Sequence, residues 1–217
     1  MYRLVQKCLA VATAIVFALL LAACTISSDV KLVGDDEGVT PLPDHFVLYP
    51  YESSTDGFVP SADKPTTFIR DGKQYVSVEM PDTKRPIRLS LVPTSADSYL
   101  LVAILDDEPN FAYGFARYND GVLALELSPD KDTSAAIAQL RKTGMPKDRK
   151  PLAGLKVDAQ TDAITVSTRA ALDELAELFA AGRLPMDEPV LAFVAEAPDT
   201  PRPSRLVRSG SDWIKVP

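Results

Sequence analysis

The chain holds two cysteines and one histidine among 217 residues. The cysteines, Cys8 and Cys24, both stand near the start, so everything after Cys24 lacks a thiol for a disulfide, a zinc site or a nucleophile. The single histidine, His45, leaves a Ser-His-Asp triad or a histidine-ligated metal with only one member to draw on. No Gly-x-Ser-x-Gly elbow, Gly-x-Gly-x-x-Gly turn or Walker-type loop is present. Basic residues are outnumbered: 23 Lys and Arg stand against 30 Asp and Glu, a formal net charge of −7. A nucleic-acid footprint is basic, so a nucleic-acid partner is disfavoured. These absences leave no catalytic residue, cofactor or metal to name.

What is present is concentrated at the N-terminus. Arg3 and Lys7 give a short basic region, and no charge follows from Cys8 to Ala23. A basic start, an apolar run and small residues before a cleavage point are the parts of a secretory signal. The run of about 16 residues covers roughly 24 Å, short of a hydrocarbon core of about 30 Å. It ends in Leu21-Ala22-Ala23-Cys24, which resembles the bacterial lipobox: an aliphatic residue, two small residues and cysteine. The resemblance implies a diacylglyceryl thioether on Cys24, cleavage between Ala23 and Cys24, and acylation of the new amino terminus. Thr25 follows where Asp would signal retention, which resembles sorting to the periplasmic face of the outer membrane. The alternatives are a plain secretory signal and a retained helix. Cleavage before Cys24 removes only Arg3 and Lys7 among the charged residues, which takes the formal charge from −7 to −9. An acidic surface has no general attraction to anionic lipid, so the membrane device is Cys24 itself.

Residues 24–44 are polar and turn-rich, with Asp35-Asp36-Glu37-Gly38 and Pro41-Leu42-Pro43. Low hydrophobicity and a charge run predict a flexible tether. A domain over 45–197 follows. Alternation predicts strands at 46–49, 66–70, 74–79, 87–92, 111–118 and 122–127, with the apolar run 99–105 as a strand covered on both faces. Asp71-Gly72 between two such runs is a hairpin signal. Helical spacing predicts helices at 135–142 and 169–181, the second capped by Thr168 and ended by Gly182. Strands at 163–166 and 189–195 complete the domain. Residues 198–217 read as a tail rich in Pro and Arg, with 213–216 as a last edge strand. The fold class expected is α+β: an antiparallel meander of six to eight strands packed with two helices.

Few residues beyond Cys24 point to chemistry. Asp35–Glu37 reads as a solvated run, Asp106-Asp107-Glu108 as a strand-ending turn, and 142–151 as an exposed basic loop. Phe111, Tyr113 and Phe115 share one face of a strand and form a candidate ligand wall, with core packing as the plainer reading. The expectation is a membrane-anchored envelope lipoprotein with a non-catalytic interaction or scaffold domain and an envelope protein partner. A module for lipid or a small hydrophobic ligand is the alternative, and an anchored carboxylate-dependent hydrolase a weaker one.

Overall fold

The computed structural model describes residues 26–78, 86–105, 111–126, 153–157, 164–182, 191–198, 200–209 and 212–217. Eight strands close into an antiparallel barrel: β2 (His45–Ser54), β4 (Thr66–Asp71), β5 (Gln74–Ser77), β6 (Ile87–Pro93), β7 (Ser98–Leu105), β8 (Phe111–Asn119), β9 (Val122–Glu126) and β12 (Leu191–Glu196). Each pairs with the next, and β12 closes the ring between β9 and β2. Carried once round the ring, the paired registers return to β8 about twelve residues from the starting point, a large stagger that tilts the strands and widens the barrel.

This corrects the α+β expectation. The chain is mostly β, and the described residues hold one helix, α1 (Arg169–Ala180). The helix expected at 135–142 lies outside the described residues. Alternation matches the course of β4 to β9, while the strands at Ile26–Ser28, Gly57–Pro60, Leu155–Val157 and Arg205–Ser209 carry no such signal. Closure rests on β12 meeting β2, a pairing such as Phe193 with Pro50, between positions far apart in sequence.

The turns follow their residues. Asp120 and Gly121 both have positive φ, 51° and 75°, as a type I′ turn between β8 and β9 requires. In the β4–β5 hairpin Asp71 pairs with Gln74, so the turn is Gly72-Lys73 and not Asp71-Gly72. Gly72 alone takes the positive φ, 63°, the pattern of a Gly-first turn.

Two layers cover the outside. On one, α1 lays Leu172, Leu175 and Phe179 over Leu100, Val102, Tyr113 and Phe115 of β7 and β8. Complete burial of such side chains is worth about 1.5–3 kcal/mol each. Thr168 caps the helix by accepting a hydrogen bond from the Ala171 N–H at 3.3 Å, and Gly182 ends it at φ 63°. The same layer includes β1 (Ile26–Ser28), β10 (Leu155–Val157) and β11 (Ile164–Val166), with β1 between β8 and β11. On the other, β3 (Gly57–Pro60), β13 (Arg205–Ser209) and β14 (Asp212–Val216) bury Phe58, Leu206 and Trp213 against Tyr51, Val122 and Val194. The expected tail is therefore two strands, with β14 where the last edge strand is expected. The Trp213 ring meets Phe58 edge-on at 5.4 Å.

Residues 26–44 are likewise part of the fold and not a tether. Ile26 and Val33 are buried in the helix layer, and Leu42 in the barrel. Between them the segment forms a strap. Its Val39 N–H donates to the Leu91 carbonyl at 2.8 Å, and Glu37 accepts from Arg169 at 2.7 Å. Composition could not show this, because a few apolar residues spaced along a polar run find preformed sites elsewhere in the chain.

Candidate functional site: the barrel interior

Inward positions follow from pleat and register. β8 turns Ala112, Gly114, Ala116 and Tyr118 inward, because these pair with Ala103, Leu101, Tyr99 and Leu123, all inside. Phe111, Tyr113 and Phe115 therefore face outward. The candidate ligand wall is a helix-packing surface: Phe115 stacks on Phe179 at 4.6 Å, and the Tyr113 hydroxyl accepts from the Leu32 N–H at 3.0 Å. Burial pushes the Tyr113 hydroxyl up in pKa. The small residues between these aromatics line the barrel, a role their alternation hid.

The interior has two unlike ends. At one end lie the β4–β5, β6–β7 and β8–β9 turns; we call it the hairpin end. Phe46 stacks on Phe68 at 5.5 Å and meets Tyr75 edge-on at 5.2 Å. Phe46, Phe68 and Tyr75 are 0–1% exposed. Leu42 of the strap joins them. Its N–H donates to the Tyr75 hydroxyl at 2.8 Å, and that hydroxyl donates to the Leu42 carbonyl at 2.9 Å. Desolvation raises the Tyr75 pKa to about 12, against a smaller lowering by the Leu42 hydrogen bond. Tyr99 and Tyr118 stand at the rim, where burial and then the charge of Glu196 push the Tyr118 hydroxyl up.

At the far end the lining changes. Leu48 is 6% exposed, Leu89 7%, Leu101 7%, Ala103 9%, Leu125 8% and Phe193 6%, and Ala112 is partly exposed. These side chains point inward yet keep a little accessible surface, so the far end is less tightly filled than the ring cluster of Phe46, Phe68 and Tyr75. The cause is size: Leu89, Ala103 and Ala112 lie side by side across three strands, with Gly114 next along β8. Ile87, at the same end but beside β5, is fully buried, and its N–H donates to the Ser77 hydroxyl at 2.8 Å. The room is thus off-centre, toward β7, β8 and β9. Among the described residues its lining is aliphatic and aromatic, with no charged group.

The remaining residues singled out in the sequence fall elsewhere. Cys24 and Ala23 lie outside the described residues, as do 106–108 and 142–151. His45 is exposed at the start of β2. Asp35 and Glu37 are held in the strap by Lys31 and Gln74 and by the Gly34 N–H and Arg169. The Lys31 hydrogen bond lowers the Asp35 pKa, and the Gly34 N–H, then Arg169, lowers that of Glu37. Among the described residues no three metal-ligating side chains come together, and no helix is long and apolar enough to cross a membrane.

An eight-stranded closed barrel has an interior that side chains fill or that holds one small ligand. No family model, curated protein or solved structure matches the chain.

Proposed function

We propose that the chain is an envelope lipoprotein, anchored through Cys24 at the periplasmic face of the outer membrane, whose barrel binds a lipid or another small hydrophobic ligand. The observation that carries the ligand reading is the uncharged room at the far end, lined by Leu89, Leu101, Ala103 and Leu125. An apolar pocket inside a rigid wall is the usual form of a small-molecule site. With no charged group among the described residues of that lining, the barrel selects for an apolar chain and leaves any headgroup outside.

The test uses a Cys24→Ser chain and a dansyl-labelled fatty acid. One probe binds per barrel, and Ala103→Phe abolishes binding while the circular dichroism stays unchanged. Absence of binding, or binding indifferent to Ala103→Phe, overturns the reading.

A second reading, an interaction domain, has its own support. Ile69 and Val76 pair on the outer face of β4 and β5, and neither covering layer includes them. Ile69 is 44% exposed and nearby Val78 53%. Such a patch is small, and apolar residues on a surface are common, so the ligand reading stands first.

A further inference from the structure

Among the described strands, two have a neighbour on one side only: β10, of three residues, and β14, of five. A free strand edge presents unpaired N–H and C=O groups. On β14 the Val216 carbonyl accepts from the Ser204 N–H at 2.9 Å, so Val216 faces β13. Backbone groups alternate along an antiparallel strand. Asp212 and Ile214 therefore face β13 too, and Trp213 and Lys215 turn their N–H and C=O to the free edge. That edge lies on the side of the hairpin end. β13 joins β3 through Leu206 and Phe58, while Asp212 accepts from the Asn119 side chain at 3.4 Å and Lys215 pairs with Glu196. Lysine commonly guards an exposed edge. Lys215 does not, because its ammonium is drawn to Glu196 and sits beside Gly121.

The outer face of the same hairpin carries an apolar pair. Val207 lies opposite Ile214, and Ile214 is 51% exposed. Arg205 lies opposite Val216, and Asp212 is exposed at the other end of β14.

We propose that this edge joins a second copy of the chain, β14 beside β14, antiparallel about a two-fold axis. The register that satisfies the edge pairs Trp213 with Lys215 of the second copy, and Lys215 with its Trp213. Every edge-facing N–H and C=O of these residues then has a partner. The same register sets Ile214 on the axis, opposite itself, where Cα atoms of a non-hydrogen-bonded pair approach to about 4.5 Å. Val207, Ile214 and their equivalents form one apolar row across four strands. Asp212 comes opposite Val216 of the second copy, with Arg205 of that copy next across, so opposite charges approach crosswise. A strand of another protein gains the edge hydrogen bonds, but the match of Ile214 to itself and of Asp212 to Arg205 needs this sequence on both sides. Such a contact closes on itself and leaves no edge for a third copy. It is smaller than a standard interface, so the dimer is weak and depends on concentration. It does not rest on the ligand reading.

The experiment uses the full chain with Cys8→Ser and Cys24→Ser, so that one introduced cysteine is the only thiol. A non-ionic detergent covers the apolar N-terminal run. Cα atoms about 4.5 Å apart are within the span of a disulfide, about 4.4–6.8 Å. Under mild oxidation Ile214→Cys forms a disulfide-linked dimer several-fold faster than Ile69→Cys, a comparably exposed site on another face. Val216→Cys, away from the axis, links as slowly as Ile69→Cys. In the cysteine-free chain the Trp213 and Lys215 amides exchange hydrogen several-fold more slowly at high protein concentration than at low. The Ile214 amide, turned to β13, is unchanged. Ile214→Asp puts like charges on the axis and removes that slowing, with the circular dichroism unchanged.

Equal linking at the three positions, or exchange at Trp213 and Lys215 indifferent to concentration, overturns the dimer. Slowing that appears only when an envelope extract is added assigns the edge to a strand of another protein and overturns the second copy as its occupant.

Discussion

At the hairpin end of the barrel Phe46, Phe68 and Tyr75 pack ring against ring, while at the far end leucines and alanines leave room. The contrast does not come from strand number or wall geometry, because the same strands run through both halves. It comes from what faces what. Ala116 pairs with Tyr99 on one side and Leu125 on the other and is fully buried. Ala112 pairs with Ala103 and remains partly exposed. An identical residue on one strand thus fills a space in one half and leaves one in the other. Small residues make a pocket only where their neighbours are also small.

The largest test of this contrast is Phe46→Ala. Removing a ring packed on two others at the sealed end costs about 3–5 kcal/mol, read as a lower urea midpoint. A loss under about 1 kcal/mol means that end is not tightly packed. Next come paired enlargements. Ala116→Leu overpacks the filled half and destabilises by about 1–3 kcal/mol. Ala103→Leu enters the room and changes stability by no more than about 0.5 kcal/mol. Equal costs in urea unfolding erase the distinction between the halves.

The smallest effect is a titration. Tyr75 ionises near 10 in the unfolded chain and at about 12 in the fold, where burial disfavours the phenolate. The unfolded state then holds fewer protons than the native state between those values, so stability falls as pH rises through that window. Below pH 10 the contribution is fully present. Tyr51, Tyr113 and Tyr118 shift in the same direction, so the Tyr75 share is the difference from Tyr75→Phe. That variant is less stable at pH 8 because Leu42 loses its partner, and it shows a shallower decline between pH 10 and 12. Parallel curves would place the Tyr75 hydroxyl in water.

Much of the barrel wall was legible in the sequence. Alternation at Ile87–Pro93 and Val122–Glu126, the turn residues Asp120-Gly121, and the doubly apolar run of β7 each express a local rule. β7 is buried on both faces because Leu101 points into the barrel and Leu100 under α1. Closure was not legible. It depends on β12 finding β2, and a meander that closes reads residue by residue like one that stays open. The candidate site was misplaced for a related reason. Phe111, Tyr113 and Phe115 outweigh Ala112 and Gly114 to the eye, yet which face of β8 points inward is set by its partners. The strap escaped composition altogether, since Leu42 is one apolar residue between two prolines and its site is the Tyr75 hydroxyl and the rings beneath it.

The pairing of β1 also sets an order of assembly. Ile26 pairs with Ile164, so the first strand of the fold has no complete place until most of the chain has been made. Contacts so far apart in sequence form late, because the loop between them must close first. The eight barrel strands are joined mainly by neighbouring pairings and need no help from β1 to meet. Docking of β1 between β8 and β11 is then the step that completes the sheet beside the barrel.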